Sequence, residues 1–519
     1  MKRSGLQKLI AFAFSPIIVC SLQSFRPGTG IAQTPGSTQP THITITADSL
    51  TLTQKYLTKL NAANDSRFRY DFEHDFFLIL DKKQKEYYQS LPTVFDRKAF
   101  IKQYWMAYNP NPLLPQNDRL LSHIQRVGYA REHFAADEPP YFDDRGKYHI
   151  IYGKPSVRYA DPGGIRRIAF FSQDIYRLIS NRFYNLKGAP QQNYSVPPNE
   201  SWAYENVSPD FVIHFVARGA EYREVASLAK ILPTQRKAHL AWQWSDLIKH
   251  RASISPALSH AANEIELFES ELVMNMSVDY ATGNRLTKNS AHTKMIKTIE
   301  KGESIVEEAK RHIPPTAYDP IHAKNKLVFY YDSAQFRGED GKTRVEVDFF
   351  VPFKKNFVIE LDALAADTLQ LEMSAMLRDR FFRPIARKSA SRIAYAHLAA
   401  RNHFPFVVER LSFELTPQKS ELSVQVENQK SRDIGFAKTV YPVVDFSGNA
   451  LMLSDIQFYT EITSEEQKSA LPVFELQGLQ LLPYPEPTVR KSRALLCYFE
   501  IYNLQSSGIT DAFEVSYKV

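Results

Sequence analysis

The chain has 519 residues, 64 Lys and Arg against 57 Asp and Glu, and a formal net charge of +7. Four of the basic side chains (Lys2, Arg3, Lys8 and Arg26) fall in residues 1–32, which hold no acid, so the remainder nets only +3 and shows no basic stripe of the kind a nucleic acid requires. A hydrophobic content of 44% over this length supports several packed cores, about three domains by length alone.

The N-terminus reads as a secretory signal. Positive charge at Lys2, Arg3 and Lys8 precedes an apolar stretch from Leu9 to Leu22, which is too short, and too interrupted by Pro16, for a comfortable membrane span. Gly30 and Ala32 fit the small-x-small rule, which predicts cleavage after Ala32 and a mature chain starting at Gln33. Val19 ahead of Cys20 disfavours lipid attachment, which wants a small residue there. No later apolar stretch reaches about 18 residues, so no transmembrane helix is expected in the mature chain, whose expected location is the periplasm or cell surface. With Cys20 removed, Cys497 is alone and no intrachain disulfide can form. The alternation Leu495, Cys497, Phe499, Ile501 makes Cys497 a small buried hydrophobe rather than a reactive thiol.

Residues 33–65, rich in Thr, Ser, Gln and Pro, read as a linker leading into a short helix. Asp81 and Gln84 have capping-box spacing ahead of a helix over Lys82–Leu91. A second helix, Thr93–Tyr108, carries Phe95, Ala99, Ile101 and Trp105 and stops at Asn109-Pro110-Asn111-Pro112. Asn117 is a good N-cap for a third, with Leu120, Ile124, Val127, Ala130 and Phe134. Then a strand is predicted over Lys147–Tyr152, between Gly146 and Gly153-Lys154-Pro155. A long loop region leads to a hairpin of Ser201–Tyr204 and Phe211–Val216, and the whole of 66–220 reads as an α+β domain of helices and a small antiparallel sheet. Residues 221–320 read as mostly helical, with long helices over Ser259–Tyr280 and Ser290–His312 that form a solvated hairpin packed on a neighbour, the alternative being a partner-binding arm. From Leu327 the pattern is strands. Asp340-Gly341 signals a hairpin turn, and Thr343–Pro352 alternates Val345, Val347, Phe349 and Val351 against Arg344, Glu346 and Asp348. With Val407–Leu415, Leu422–Glu427 and Leu451–Ile462, this predicts an Ig-like β-sandwich over 322–465. Residues 472–519 begin a second β module, partial against the roughly 100 residues such a module needs.

The block from Ile79 to Phe215 resembles the GWxTD-domain family of exported bacterial proteins. Tyr104-Trp105 matches the aromatic-Trp pair that ends a helix there, and Tyr108 to Pro112 keeps the prolines of the following segment but not its Arg and Asp. Asn117, Arg126, Ala130 and Phe134 fall where the family has an Asn and an Arg-Ala-Phe helix. The name-giving G-W-x-T-D-R-G aligns with Pro140 to Gly146; Asp144, Arg145 and Gly146 stay, while the Gly, Trp and Thr are replaced. Tyr148 to Pro155 matches the next strand and turn, including Tyr152, Gly153 and Pro155, and Trp202 with Tyr204 matches a later W-x-Y. The resemblance implies export and an α+β domain ahead of sandwich modules. It implies no reaction.

Asp144-Arg145-Gly146 is the strongest local signal. Its bland reading is a tight turn, with Asp144 capping it, Gly146 at positive φ and Arg145 paired to a carboxylate. The sharper reading adds Asp143 and Glu138 as an acidic cluster beside a cation, suited to acid/base hydrolysis. Turn chemistry explains these residue types fully and is preferred. Trp105, Tyr141, Tyr152, Trp202 and Tyr204 form either core or an aromatic platform for sugar or peptide, and core is the commoner role of such residues. Gly341-Lys342-Thr343 lacks the first glycine of a phosphate loop, Ser227 to Lys230 matches S-x-x-K without its partner motifs, and His260 with Glu264 offers too few ligands for a catalytic metal. No metal or cofactor is therefore expected. The reading that results is a non-catalytic envelope protein that binds another envelope protein or a surface polysaccharide. The alternative is a hydrolase working from Asp143, Asp144 and Arg145.

Overall fold

The computed structural model describes residues 7–12, 48–168, 192–233, 237–282, 287–318, 327–352, 368–395, 406–461, 474–476, 479–484 and 495–503. The expected cleavage site, the first part of the linker (33–47) and the end of the last β module (504–519) lie outside them. Residues 7–12, inside the expected signal, form strand β1 (Gln7–Phe12). No helix among the described residues is long and apolar enough to cross a membrane. The chain mixes helices with antiparallel sheets and divides into two compact units. One, helix-rich, comprises 54–101 and 121–319; the other, strand-rich, comprises 1–53, 102–120 and 320–519.

Helices open the described chain. α1 (Asp48–Ala62) occupies ground expected to be mostly linker. α2 (Asp65–Phe68), a single π turn at Arg69–Glu73, and α3 (His74–Leu78) follow without a break. α4 (Lys82–Ser90) starts at the expected capping box: Gln84 N–H donates to Asp81 Oδ1 (2.8 Å) and Asp81 N–H to Gln84 Oε1 (3.0 Å). α5 (Val94–Ala107) and α6 (Asp118–His133) match the next two predictions. Asn117 caps α6 through Leu120 N–H (3.1 Å), and its amide donates to the Trp105 carbonyl (2.5 Å), so one side chain fixes the corner between them.

The first correction comes at α7 (Asp144–Tyr152), a helix where a strand was expected. Short apolar runs do not declare their period, and here the ends decide. Asp143 is the N-cap, accepting from Arg145 N–H (2.9 Å). Gly153 closes the helix at φ 81°, with its N–H on the His149 carbonyl (2.8 Å). The expected long loop contains β2 (Val157–Asp161), β3 (Gly164–Ile168) and β4 (Gln192–Val196). The expected hairpin is β5 (Asn199–Ala203) and β6 (Val212–Arg218), followed by β7 (Glu221–Val225). Their sheet runs β2-β5-β6-β7, all antiparallel, with β3 and β4 paired separately. α8 (Lys237–Lys249), α9 (Pro256–Thr282) and α10 (Thr287–Arg311) complete the helix-rich unit.

Both faces of this sheet are covered, which is why β5 is buried along its whole length. Side chains alternate across a strand. On one face Trp202, Tyr204, Phe211 and Phe215 meet Phe134, Tyr148 and Tyr152. On the other, Ala203, Val212, Val216 and Val225 join Trp242, Leu247, Leu258, Ile265 and Ile299 from α8, α9 and α10. Gly302 allows α9 and α10 to approach closely, since a Cβ there would lie 2.9 Å from that of Ala261.

In the strand-rich unit, β8 (Tyr330–Arg337) and β9 (Thr343–Pro352) form the predicted hairpin. Asp340 (φ 51°) and Gly341 (φ 73°) take the two positive-φ positions of a type I′ turn. The further strands are β10 (Thr368–Asp379), β11 (Pro384–Tyr395), β12 (Phe406–Leu415), β13 (Ser420–Asn428) and β14 (Ile434–Val440). They make sheets of order β12-β9-β8 and β11-β10-β13-β14. Val345, Val347, Phe349 and Val351 share one core with Leu371, Met373, Val424 and Val426 of the other sheet. The predicted strand over Leu451–Ile462 is broken into β15 (Met452–Leu453) and β16 (Gln457–Glu461). β17 (Phe474–Leu476), β18 (Leu479–Pro483) and β19 (Leu495–Tyr502) follow, and β1 pairs antiparallel with β19. This last sheet packs on its neighbour: Leu481, Leu496 and Tyr498 with Phe336, and Leu482 with Phe350 and Val408.

Cys497 is a second correction. Leu496 and Tyr498 face the core, so Cys497 lies on the opposite, half-exposed side of β19. The inward, even-numbered face also carries Glu500, whose buried carboxylate is satisfied by Tyr502 Oη–H (2.7 Å) and Arg344 Nη2 (3.0 Å).

Candidate functional site

The Asp144-Arg145-Gly146 triplet opens α7. Asp143 is fully buried, and its carboxylate accepts from Arg145 Nη2 (2.7 Å), Arg145 Nε (3.0 Å) and Tyr222 N–H (3.0 Å) besides the cap bond. Asp144 accepts from Glu224 N–H (2.7 Å). Tyr222 and Glu224 lie two apart on β7, at the edge of the sheet, so the two consecutive aspartates cover edge amides that would otherwise await a partner. Arg145 Nη1 bonds Glu200 (3.0 Å), and its guanidinium lies between the rings of Tyr222 (3.6 Å) and Phe134 (5.1 Å). Glu200 also takes Arg158 (2.7 and 2.8 Å) and Trp202 Nε1–H (2.7 Å). Burial alone would raise the Glu200 carboxyl, but the bonds from Arg158 and Trp202 and the two arginine charges hold it below its ordinary range.

The triplet is thus a helix start, not a tight turn. Gly146 is helical, and its Cβ would meet that of Phe142 at 2.7 Å, so glycine is required by space and not by a positive φ. Arg145 does pair with carboxylates, as expected. Glu138 is exposed and makes no part of this cluster.

At the other end of α7, Arg126 Nη1 lies 3.2, 3.1 and 2.8 Å from the carbonyls of Ile150, Ile151 and Ala317, a cation on the negative end of a helix. A Cβ on Gly153 would meet that guanidinium at 3.0 Å. Tyr204 Oη–H reaches the Gly153 carbonyl (3.3 Å), and Tyr152 Oη–H that of Pro314 (3.1 Å). Pro155 leads into β2 and lines nothing. Trp105, Tyr152, Trp202 and Tyr204 are buried core residues, and of the five aromatics Tyr141 alone is exposed. In the strand-rich unit, after α5, Arg378 donates to the Met106 carbonyl (3.1 Å) and Asn111 to Gln425 (2.6 Å), which docks the Asn-Pro-Asn-Pro segment on β10 and β13.

Two features escaped the sequence. Ser201 and His214 are cross-strand neighbours, with Ser Oγ 2.8 Å from His Nδ1. This is a nucleophile–base pair by residue type, yet Ser201 is 0% and His214 1% exposed, and Arg251 Nε occupies the hydroxyl (2.7 Å). Burial first, then the charge of Arg251, hold His214 far below its ordinary pKa, so it stays neutral. The pair is core. Only the hairpin register, which depends on the turn, could have disclosed it.

The second feature is a groove of about 640 Å³ in the helix-rich unit. Phe77, Leu80, Ile151 and Phe211 give it an apolar floor, and Lys82, Lys85, Lys147 and Lys310 stand around it with Asp81 and Glu86. Lys310 is taken by Glu307 (2.6 Å). Among the described residues Lys82, Lys85 and Lys147 have no ion-pair partner; Lys85 lies over the Phe77 ring (5.4 Å) and Lys147 over that of Tyr148 (5.0 Å). Partial burial, and then the neighbouring charge of Lys147, lower the pKa of Lys85. No group of three or more His, Cys, Asp or Glu suited to a metal occurs among the described residues; His260 and Glu264 form an exposed pair at 3.2 Å. No protein-family model matches the chain, and no curated protein matches it either.

Proposed function

We propose that this is an exported, non-catalytic binding or scaffold protein of the cell envelope, a divergent GWxTD-like α+β domain joined to an Ig-like sandwich. One observation carries the non-catalytic part. Asp144, half-buried, accepts from Glu224 N–H, and Asp143 and Glu200 are buried and committed to guanidinium, indole or backbone donors. A general acid or base must reach a substrate proton, and the two buried carboxylates cannot. The Ig-like reading draws support from the three-stranded and four-stranded sheets that share a core. Export rests on the composition of residues 1–32. Cleavage after Ala32 would remove β1 and bare one edge of β19.

The test is to express the full gene product, recover the exported form and sequence its N-terminus, expecting Gln33. A lipid-modified start at Cys20, or an uncleaved chain, overturns the export reading as stated. Beside it, Asp144→Asn is assayed for the envelope phenotype of a deletion strain. A stable but inactive variant would favour the hydrolase instead.

A further inference from the structure

The groove gathers Lys82, Lys85 and Lys147, none of them ion-paired among the described residues, around one apolar floor, while Lys310 is held by Glu307. The ordinary reading of surface lysines is a solvated face, but these stand over buried and half-buried apolar side chains, and two of them are close enough for one to lower the pKa of the other. Of the two acids in the lining, Asp81 has its Oδ1 committed to the α4 cap and Glu86 is exposed. The volume is that of a small-molecule site. An uncharged apolar ligand would leave the lysines as they are, and a bare anion would make no use of half-buried Phe77 at the mouth of the floor.

We propose that the groove binds an anionic amphiphile, with a phosphate or carboxylate head among Lys82, Lys85 and Lys147 and an apolar body on Phe77, Leu80, Ile151 and Phe211. This deepens the binding reading above and rests on it only in that the ligand is held unchanged. Aliphatic and aromatic floor residues favour an alkyl or acyl body, and the compact ammonium groups suit a head carrying full charge.

The test is calorimetric titration of the full chain with octyl phosphate, octanol and inorganic phosphate, beside the Lys85→Gln/Lys147→Gln variant. Octyl phosphate should bind, and octanol and inorganic phosphate should each bind at least about tenfold more weakly, with about tenfold lost for each lysine removed. The proposal is overturned if octanol or phosphate alone matches octyl phosphate, or if the double variant binds as the parent does. The variant's melting curve should match the parent; if it does not, single Lys147→Gln replaces it. Sedimentation with phosphatidylglycerol vesicles distinguishes the source: binding to free octyl phosphate supports a soluble amphiphile, and binding only to vesicles overturns the groove in favour of a membrane surface. Release of inorganic phosphate during the titration would sink the non-catalytic reading while leaving the groove intact.

Discussion

Helix α7 separates two arrangements of charge. Around its first turn, Asp143, Asp144, Arg145, Glu200 and Arg158 form a closed set in which every group has a partner. One turn further on, Lys147 joins Lys82 and Lys85 around an apolar floor, and none of the three has an ion-pair partner among the described residues. Both clusters look polar and functional in a sequence. The difference teaches that saturation, not charge, separates a structural node from a binding site: a buried charge whose partner is internal holds the fold, whereas a cation without one has affinity to spare for a ligand.

The largest expected break in this contrast is Arg145→Met. It strands Asp143 as a buried carboxylate with backbone donors only, and should cost about 3–5 kcal/mol in urea unfolding. A loss under about 1 kcal/mol would mean the node is not what holds α7 on β7. Next is Gly146→Val. The added carbons collide with buried Phe142, at an expected cost of about 1–3 kcal/mol by the same measurement. Wild-type stability there would place the first turn of α7 further from Phe142.

A pH titration sharpens the comparison between the two units. His149, buried and stacked on Tyr129 (4.5 Å), is lowered to about 4 by burial first and then by Arg126 and His133. Its folded pKa lies below the ordinary 6.5, so the unfolded chain binds more protons. Stability is then lost as pH falls from about 6.5 through 4, by about 1.4 kcal/mol for each unit separating the two values at most. Asp332 in the strand-rich unit is raised to about 6 by burial and by Asp348 and Asp455. Its sign is opposite: the folded state holds the extra proton, and stability is lost as pH rises from about 3.8 through 6. His149→Gln should flatten the first slope and Asp332→Asn the second, each followed by urea midpoints between pH 4 and 7. Unchanged slopes would show that neither group titrates as its burial dictates.

Smaller still is Asp144→Asn. The amide oxygen can still accept from Glu224 N–H, so only the charge near the helix start is lost, about 0.3–1 kcal/mol. Lys147→Gln should leave the melting temperature unchanged while weakening amphiphile binding, which separates stability from function.

Residue chemistry that acts over three or four positions was legible in the chain. The Asp81–Gln84 box, the Asn117 cap, the Asp340-Gly341 turn and the alternation of β9 depend on local hydrogen bonds, φ preferences and a period of two, and the structure has each of them. The α+β character follows from the same signals. Partners distant in sequence decided the rest. Tyr148 to Tyr152 could serve as strand or helix, and the ends of α7 are fixed by Asp143 and by Arg126, which lies 24 and 25 residues before the Ile150 and Ile151 carbonyls it binds. Both faces of β19 are apolar enough to go inward, and the inward one carries Glu500, whose carboxylate Arg344 and Tyr502 satisfy. Glu200 acquires its role only when Arg145, Arg158 and Trp202 converge on it, and the groove exists only where α3, α4, α7 and the end of α10 come together. The sequence determines which side chains can cap, turn or alternate, because those choices are local. Saturation of a charge is a property of the space around it, and only the tertiary structure decides that.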